Sequence, residues 1–461
     1  MTNGGGTRDS EHDQCQHPTA GQKPVLGTSI FDDPETMQQR IRRLWIPLFV
    51  VADLAILPML HIGLFPYKFS YLLIVYMVVR RFPIAIPVRR VFTIFALLFM
   101  ILTISWTIRV IMSGEFSITN AQSIMAVIVM APIAFAFGWN TSPKVTAYVP
   151  WVIVSFSFLS LFVTVFWSRL IPTAFGRLYG YQQEYLGFGD VLQRPGGLHQ
   201  NPHITALFLS ILLIYVAIGV RFSIFPATSW KAILSVSFAS IIILLVGSRS
   251  ELITTFLTSM FIVYSAYIQR SASNMFFILF ASTLVAAPLL LLFVNQLQYG
   301  TLVFETLPIA ISNAVLDPLD RFHGIGRFFY AWINPRFLDA FTTSPLSVLI
   351  GHGPEGKAGT GMIGLSFHND YASLIVASGI LGMLVFLPII RMAYKVSLVL
   401  LAPFIFAAMS NAFILSPTHF ILFMIILGIG SRALESTTTE SKQVRPPLEP
   451  ANTMTQPRNQ P

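Results

Sequence analysis

The chain has almost no cysteine and little charge. Cys15 is its only cysteine, so no intrachain disulfide can form, and no cysteine cluster exists to hold iron–sulfur or structural zinc. Charged residues are 11% of the 461 positions, where soluble domains run near a quarter. A cleavable signal peptide is not expected either, because the first 43 residues are polar and lack an early apolar core. Residues 1–43 are expected to form a disordered cytoplasmic tail, with a short surface helix over 31–43. Residues 433–461, rich in Pro, Thr, Ser and Gln, are expected to form a second such tail.

What the chain has is apolar surface. Hydrophobic residues make up 54% of it, and the mean hydropathy is +0.69. One or two soluble cores could not hide that much. The apolar residues come in runs of roughly twenty, the thickness of a hydrocarbon core. Lipid offers no partner to open backbone groups, so the spans should be helices; a barrel would show short alternating segments instead. The expected fold is therefore an all-α polytopic membrane protein of about twelve transmembrane helices over residues 44–432.

The expected spans are 44–62, 65–79, 91–112, 121–137, a fifth ending near Trp167, 203–219, a seventh ending at Gly247, 252–267, 275–294, 371–390, 396–415 and 418–430. Basic residues flank alternate ends, among them Arg42, Arg43, Arg80, Arg81, Arg89, Arg90, Lys144, Arg221, Lys231, Arg270, Arg391, Lys395 and Arg432. The positive-inside rule puts these ends and both termini in the cytoplasm. The long connection 295–367 carries four basic and five acidic residues, and is read as a large outer loop holding short helices on the bilayer surface. Basic residues placed for topology also account for a sequence pI near 9.7, so no nucleic-acid partner is expected.

Three polar clusters fall on the expected outer side, where loops carried by a rigid scaffold host function. The first, 194–203, contains Arg194, His199, Asn201 and His203 and leads into the sixth span. It reads either as a tight loop with a polar helix start or as a lipid-phosphate or acceptor surface. The second, Gly247-Ser248-Arg249-Ser250-Glu251, is a whole turn between two spans. Arg249 either snorkels or pairs with Glu251, or holds a permanent positive charge suited to a diphosphate. The third is the long loop, with Arg321, Arg327, His352 and, at the mouth of the tenth span, His368-Asn369-Asp370-Tyr371. His368 is either structural or employed; the Asp370 carboxylate beside an apolar span favours the second reading.

Two other chemistries find no support in the sequence. The stretch from Gly351 to Ala358 nearly spells a P-loop, but Ala358 stands where Ser or Thr must hold magnesium. His323, His352 and His368 lack any compact zinc spacing. No metal and no cofactor are expected.

In order and spacing these elements resemble the O-antigen ligase and O-antigen polymerase superfamily of bacterial inner-membrane proteins. The resemblance is carried by Gly196-Gly197, Asn201-Pro202 and Ala206; by Ser248-Arg249; by Pro345-Leu346 and Gly351-His352-Gly353; and by His368-Asn369, Tyr371, Gly379 and Gly382. Two positions depart from the family's pattern, Ala372 for a leucine and Ala377 for a glutamate. The resemblance implies a glycosyltransferase of the inner membrane, acting on the periplasmic face on glycan carried by undecaprenyl diphosphate. It implies Arg249 and His368 as catalytic residues, the arginine neutralising the leaving diphosphate and the histidine taking the acceptor proton. Arg194, Asn201, Arg321, Arg327, His352, Asn369, Asp370 and Tyr371 are the expected substrate-binding residues. A polymerase of O-antigen or exopolysaccharide is expected, on the long loop and the altered acceptor end. The alternatives are a ligase that transfers glycan to lipid A–core and a polysaccharide or lipid transporter. Expected partners are the lipid-linked glycan, a glycan or lipid A–core acceptor, membrane lipids and other polysaccharide assembly proteins.

Overall fold

The computed structural model describes residues 41–58, 60–62, 65–113, 118–179, 197–199, 202–227, 229–246, 249–268, 344–353, 370–408 and 413–443. The expected ninth span lies outside them. Their helices are α1 Ile46–Ala55, continuing a π turn Ile41–Trp45, then α2 Phe69–Arg80, α3 Ile86–Ser113, α4 Ile118–Asn140, α5 Val149–Leu170, α6 Ala174–Tyr179, α7 Pro202–Arg221, α8 Trp230–Val246, α9 Arg249–Ile268, α10 Pro345–Ile350, α11 Asp370–Val396 and α12 Pro417–Gln443. Among the described residues, five helices are long and apolar enough to cross a membrane, those within α3, α5, α7, α11 and α12, and five shorter apolar helices accompany them. The chain is a helical membrane protein.

Its packing is that of a protein sorted by lipid. On α9 the side chains of Glu251, Thr254, Thr255, Thr258 and Ser259 are buried, while Ile253, Phe256, Leu257, Met260 and Tyr264 are exposed. That is a soluble helix turned inside out: hydroxyls face protein and hydrocarbon faces lipid. By contrast α7 is enclosed on all sides, with every residue from Thr205 to Val220 buried. It is the axial helix of the bundle. Helices α4 and α12 touch backbone to backbone, since a Cβ on Gly138 would lie 2.1 Å from the Ile425 carbonyl oxygen.

Three differences from the expected spans have local causes. Helix α1 stops at Ala55 and α2 starts at Phe69, because residues between them form a two-stranded antiparallel ribbon, β1 Leu60–Ile62 and β2 Phe65–Tyr67. This short ribbon apart, the regular elements among the described residues are helical, in keeping with an all-α membrane fold. Pro58 and Pro66 in this stretch cannot supply the N–H of a continuing helix. The expected eleventh span, 396–415, is not one helix: Ser397 is extended, and a 3₁₀ turn Leu398–Leu401 is followed by a π turn Pro403–Ala407.

The third difference concerns the late loop. Its α10 segment does not lie over the helix ends. Glycines 351, 353 and 379 all have positive φ, +73°, +78° and +64°, and α11 is broken at Gly379. The turn after α10 docks into that break, His352 N–H donating to the Val376 carbonyl at 2.8 Å and Gly353 N–H to Ala377 at 2.9 Å. Ser105 of α3 donates to the Gly351 carbonyl at 2.7 Å. Val376 is six residues along α11 from Asp370, so the contact lies about 9 Å inside the helix end. The segment re-enters the bundle.

Candidate functional site

The contacts divide the bundle into two ends. At one end Trp45 packs on Tyr148, Trp151 on Trp230, and Lys231 lies over the Tyr148 ring. Arg432 donates to the Trp139 carbonyl at 3.1 Å and Asn140 to the Arg81 carbonyl at 2.5 Å. This is a basic and tryptophan-rich rim. The other end gathers buried titratable side chains, and it is the candidate site.

The C-terminus of α1 is its hub. The last carbonyls of a helix have no intrahelical donor, and here side chains from three distant segments supply them. Lys68 Nζ donates to the Asp53 carbonyl at 3.0 Å and to the Leu57 carbonyl. Tyr179 Oη donates to the Ile56 carbonyl at 2.9 Å, and His199 Nε2 donates to the Ala55 carbonyl at 2.5 Å. A carbonyl can only accept, so His199 carries its proton on Nε2. In return Asp53 Oδ2 accepts the N–H of Ser70 at 2.7 Å in the first turn of α2. Burial pushes Lys68 down to about 8 against the opposing charge of Asp53. Burial, then the charge of Lys68, pushes His199 down to about 3. His199 is a neutral ring at pH 7.

From this hub an aromatic stack leads across the axial helix. Phe208 of α7 sits 4.9 Å from the His199 ring and 4.0 Å from the His419 ring. His419 bonds through Nδ1 with Ser416 Oγ at 2.5 Å, and its Nε2 reaches the Ile204 carbonyl at 3.4 Å. Since the Ile204 carbonyl accepts, His419 Nδ1 is the unprotonated nitrogen and Ser416 is the donor. Beyond it, His203 Nδ1 lies 3.8 Å from Oε2 of Glu251. Glu251 is wholly buried in the first turn of α9, where a negative charge suits the helix dipole.

The expected site residues divide unevenly. Arg194, Asn201, Arg321, Arg327, His368 and Asn369 lie outside the described residues. Arg249 opens α9, but its side chain is also outside the description. His352 occupies the re-entrant turn, where its amide and that of Gly353 bond to the broken α11. Those are amides a phosphate cradle would need, which argues further against a P-loop there. Asp370 is buried, and its Oδ2 accepts the N–H groups of Phe413, at 2.5 Å, and of Ile414, in the turn before α12. Tyr371 Oη donates to the Phe404 carbonyl at 2.8 Å. Both side chains are thus tied into the scaffold. Ala377, where the resembled family has a glutamate, is 1% exposed against the re-entrant turn.

The residues that sequence reasoning passed over are Asp53, Lys68, Tyr179 and His419. A signal existed for two of them: Asp53 lies within an apolar run and His419 two residues into another, and ionisable groups at such positions are rarely idle. Among the described residues no three His, Cys, Asp or Glu side chains converge as metal ligands would. No protein-family model matches the chain, and no curated protein matches it.

Proposed function

We propose that the chain is a bacterial inner-membrane glycosyltransferase that polymerises a surface polysaccharide, O-antigen or exopolysaccharide. It transfers glycan from undecaprenyl diphosphate to an acceptor sugar hydroxyl on the periplasmic face. The single observation that carries this reading is the asymmetry of the bundle. Lys68, His199, His203, Glu251, His419 and Asp370 collect at one end of an otherwise apolar helical body, while the other end is a basic, tryptophan-rich rim. An enzyme that draws a lipid-linked substrate sideways from the bilayer needs its chemistry at one interface.

In this reading twelve spans carry both termini in the cytoplasm. The polar end of the bundle then faces the periplasm. Arg249, at the first position of α9, neutralises the diphosphate as the anomeric bond breaks. A guanidinium does this bidentately and without a metal. The acceptor hydroxyl loses its proton to a histidine, His368 on the sequence pattern. Arg194, Asn201, Arg321, Arg327, His352 and Asn369 contact the substrates, while Asp370 and Tyr371 shape the site through the scaffold bonds described above.

The test is transfer by purified protein in liposomes, with undecaprenyl diphosphate-linked glycan extracted from the host's own membranes. Arg249→Ala should be nearly inactive and Arg249→Lys strongly impaired, both at normal protein level. Unchanged transfer by Arg249→Ala removes the diphosphate role. A ligase differs only in its acceptor: a deletion strain that keeps single repeat units on lipid A–core identifies a polymerase, and one that loses the glycan altogether identifies a ligase.

A further inference from the structure

We infer that the tip of the hairpin joining α2 to α3 is a docking site for anionic phospholipid. Its phosphates pair with Arg80, Arg81, Arg89 and Arg90, while Phe82, Ile84 and Ile86 enter the acyl layer of the same leaflet. The inference stands apart from the transferase reading.

The segment reads Arg80-Arg81-Phe82-Pro83-Ile84-Ala85-Ile86-Pro87-Val88-Arg89-Arg90. Helix α2 ends at Arg80 and α3 begins at Ile86, so only residues 81–85 link them. Pro83 cannot continue α2. Pro87 lies in the first turn of α3, where a missing N–H costs no bond. In an extended link alternate side chains share one side. Phe82, Ile84 and Ile86 are 49%, 73% and 66% exposed, while Pro83 and Ala85 between them are half-buried. The link therefore turns three large apolar side chains outward together.

The tip is held in place. The Asn140 side chain, at the end of α4, donates to the Arg81 carbonyl at 2.5 Å. The Phe82 ring meets the Phe92 ring of α3 edge-on at 5.1 Å. Arg432 of α12 donates to the carbonyls of Trp139 and Thr141, on either side of Asn140, at 3.1 and 3.4 Å. A fifth guanidinium is thus brought to the base of the tip.

The four arginines of the hairpin are exposed. Arg80 donates to Tyr76 Oη one turn back on its own helix, at 3.1 Å. Among the described residues no carboxylate pairs with any of the four. Asp53, Glu251 and Asp370 are buried at the other end of the bundle, and Glu435 and Glu440 lie beyond Arg432 in the last turns of α12. Four guanidinium groups within eleven residues repel one another unless anions lie between them. Phosphate supplies the opposite charge and accepts bidentately. Phe82, Ile84 and Ile86 need hydrocarbon as well, which a free phosphate cannot offer. Basic groups flanking an exposed apolar wedge fit a lipid that carries both. Arginines placed only to orient the spans would not need that wedge.

The deciding experiment is thermal unfolding of the purified protein in mild detergent, with added phosphatidylglycerol, phosphatidylcholine or soluble glycerol 3-phosphate. Phosphatidylglycerol should raise the melting temperature saturably, and the other two should not. Replacing Arg80, Arg81, Arg89 and Arg90 by Gln should raise the half-saturating lipid concentration about fivefold per arginine. Arg221→Gln with Lys231→Gln, at other helix ends, should keep the wild-type response. The melting temperature without added lipid shows whether each variant is folded. A second measurement needs no arginine variant: a fluorophore on Ile84→Cys, in Cys15→Ser protein in phosphatidylglycerol liposomes, should be quenched by nitroxides on the acyl chains. An equal response to phosphatidylcholine or to glycerol 3-phosphate overturns the site. So does a folded four-glutamine variant with wild-type half-saturation, or an Ile84→Cys label that acyl-chain nitroxides leave bright.

Discussion

Asp53 and Lys68 cap each other's helices. The carboxylate of Asp53 takes the Ser70 N–H at the start of α2, and Lys68 gives its ammonium protons to carbonyls at the end of α1. Each charge sits at the helix terminus whose dipole it complements. Both residues are 2% exposed. The pair closes the first hairpin where water cannot compete for its bonds.

Removing one partner should therefore be expensive. Lys68→Met leaves the buried Asp53 carboxylate without its countercharge and takes a donor from the Asp53 and Leu57 carbonyls, and should destabilise the protein by about 3–5 kcal/mol. The double variant Asp53→Leu, Lys68→Met should recover part of that loss, because no buried charge is left alone. Thermal unfolding in detergent measures both. A Lys68→Met protein that melts with the wild type would show that the clamp does not hold the fold.

The break in α11 makes a second prediction. Gly379 has φ +64°, and a Cβ there would sit 2.3 Å from the Leu349 carbonyl oxygen; one on Gly351 would sit 2.6 Å from the Ala377 oxygen. Neither neighbour is a flexible side chain that could move aside. Gly379→Ala and Gly351→Ala should each destabilise by roughly 1–3 kcal/mol. Because they spoil one shared contact, the double variant should lose less than the sum. Full additivity in a thermal or denaturant series would mean that the re-entrant turn and the break are independent.

His199 predicts how stability responds to acid. Its folded value is pushed down to about 3 from an ordinary 6.5. Between those values the unfolded chain binds a proton that the folded chain does not, so stability falls as pH drops from 6.5 toward 3. Above 6.5 the neutral ring costs nothing in charge. His199→Gln keeps a side-chain N–H for the Ala55 carbonyl and does not titrate. Its melting temperature should fall less steeply than that of the wild type between pH 6.5 and 4. Parallel slopes would mean that His199 is not held neutral by the fold.

Sidedness can be checked by labelling. Cys15 is the only native cysteine, so Cys15→Ser gives a clean background. A membrane-impermeant thiol reagent on intact cells, with the outer membrane made permeable, should label Lys357→Cys and Arg194→Cys but not Arg89→Cys or Arg391→Cys. The reverse pattern would invert the proposed topology.

Much of the scaffold was legible in the sequence, because a membrane writes its demands locally. Apolar runs of about twenty residues must be helices in lipid, and α3, α5, α7, α11 and α12 stand where those runs stand. Trp45, Trp151, Trp230 and Arg432 meet on one rim, a grouping that only the packing of the helices shows. Helix ends were less legible. Where a helix stops depends on who satisfies its last carbonyls, and for α1 those partners are 15, 123 and 144 residues along the chain. No local pattern encodes such pairings. The glycines at 351, 353 and 379 were readable as a spaced set, but only packing revealed that they let a loop segment dock into a broken helix. Likewise Asp370 stood out as a charge at a helix mouth. The tertiary structure gave its carboxylate to two backbone amides, and brought His203 to a buried Glu251 48 positions away. Sequence determined which segments are apolar enough to enter a membrane, since that follows from local transfer energy. The fold decided which polar groups meet there, since that depends on how the helices pack.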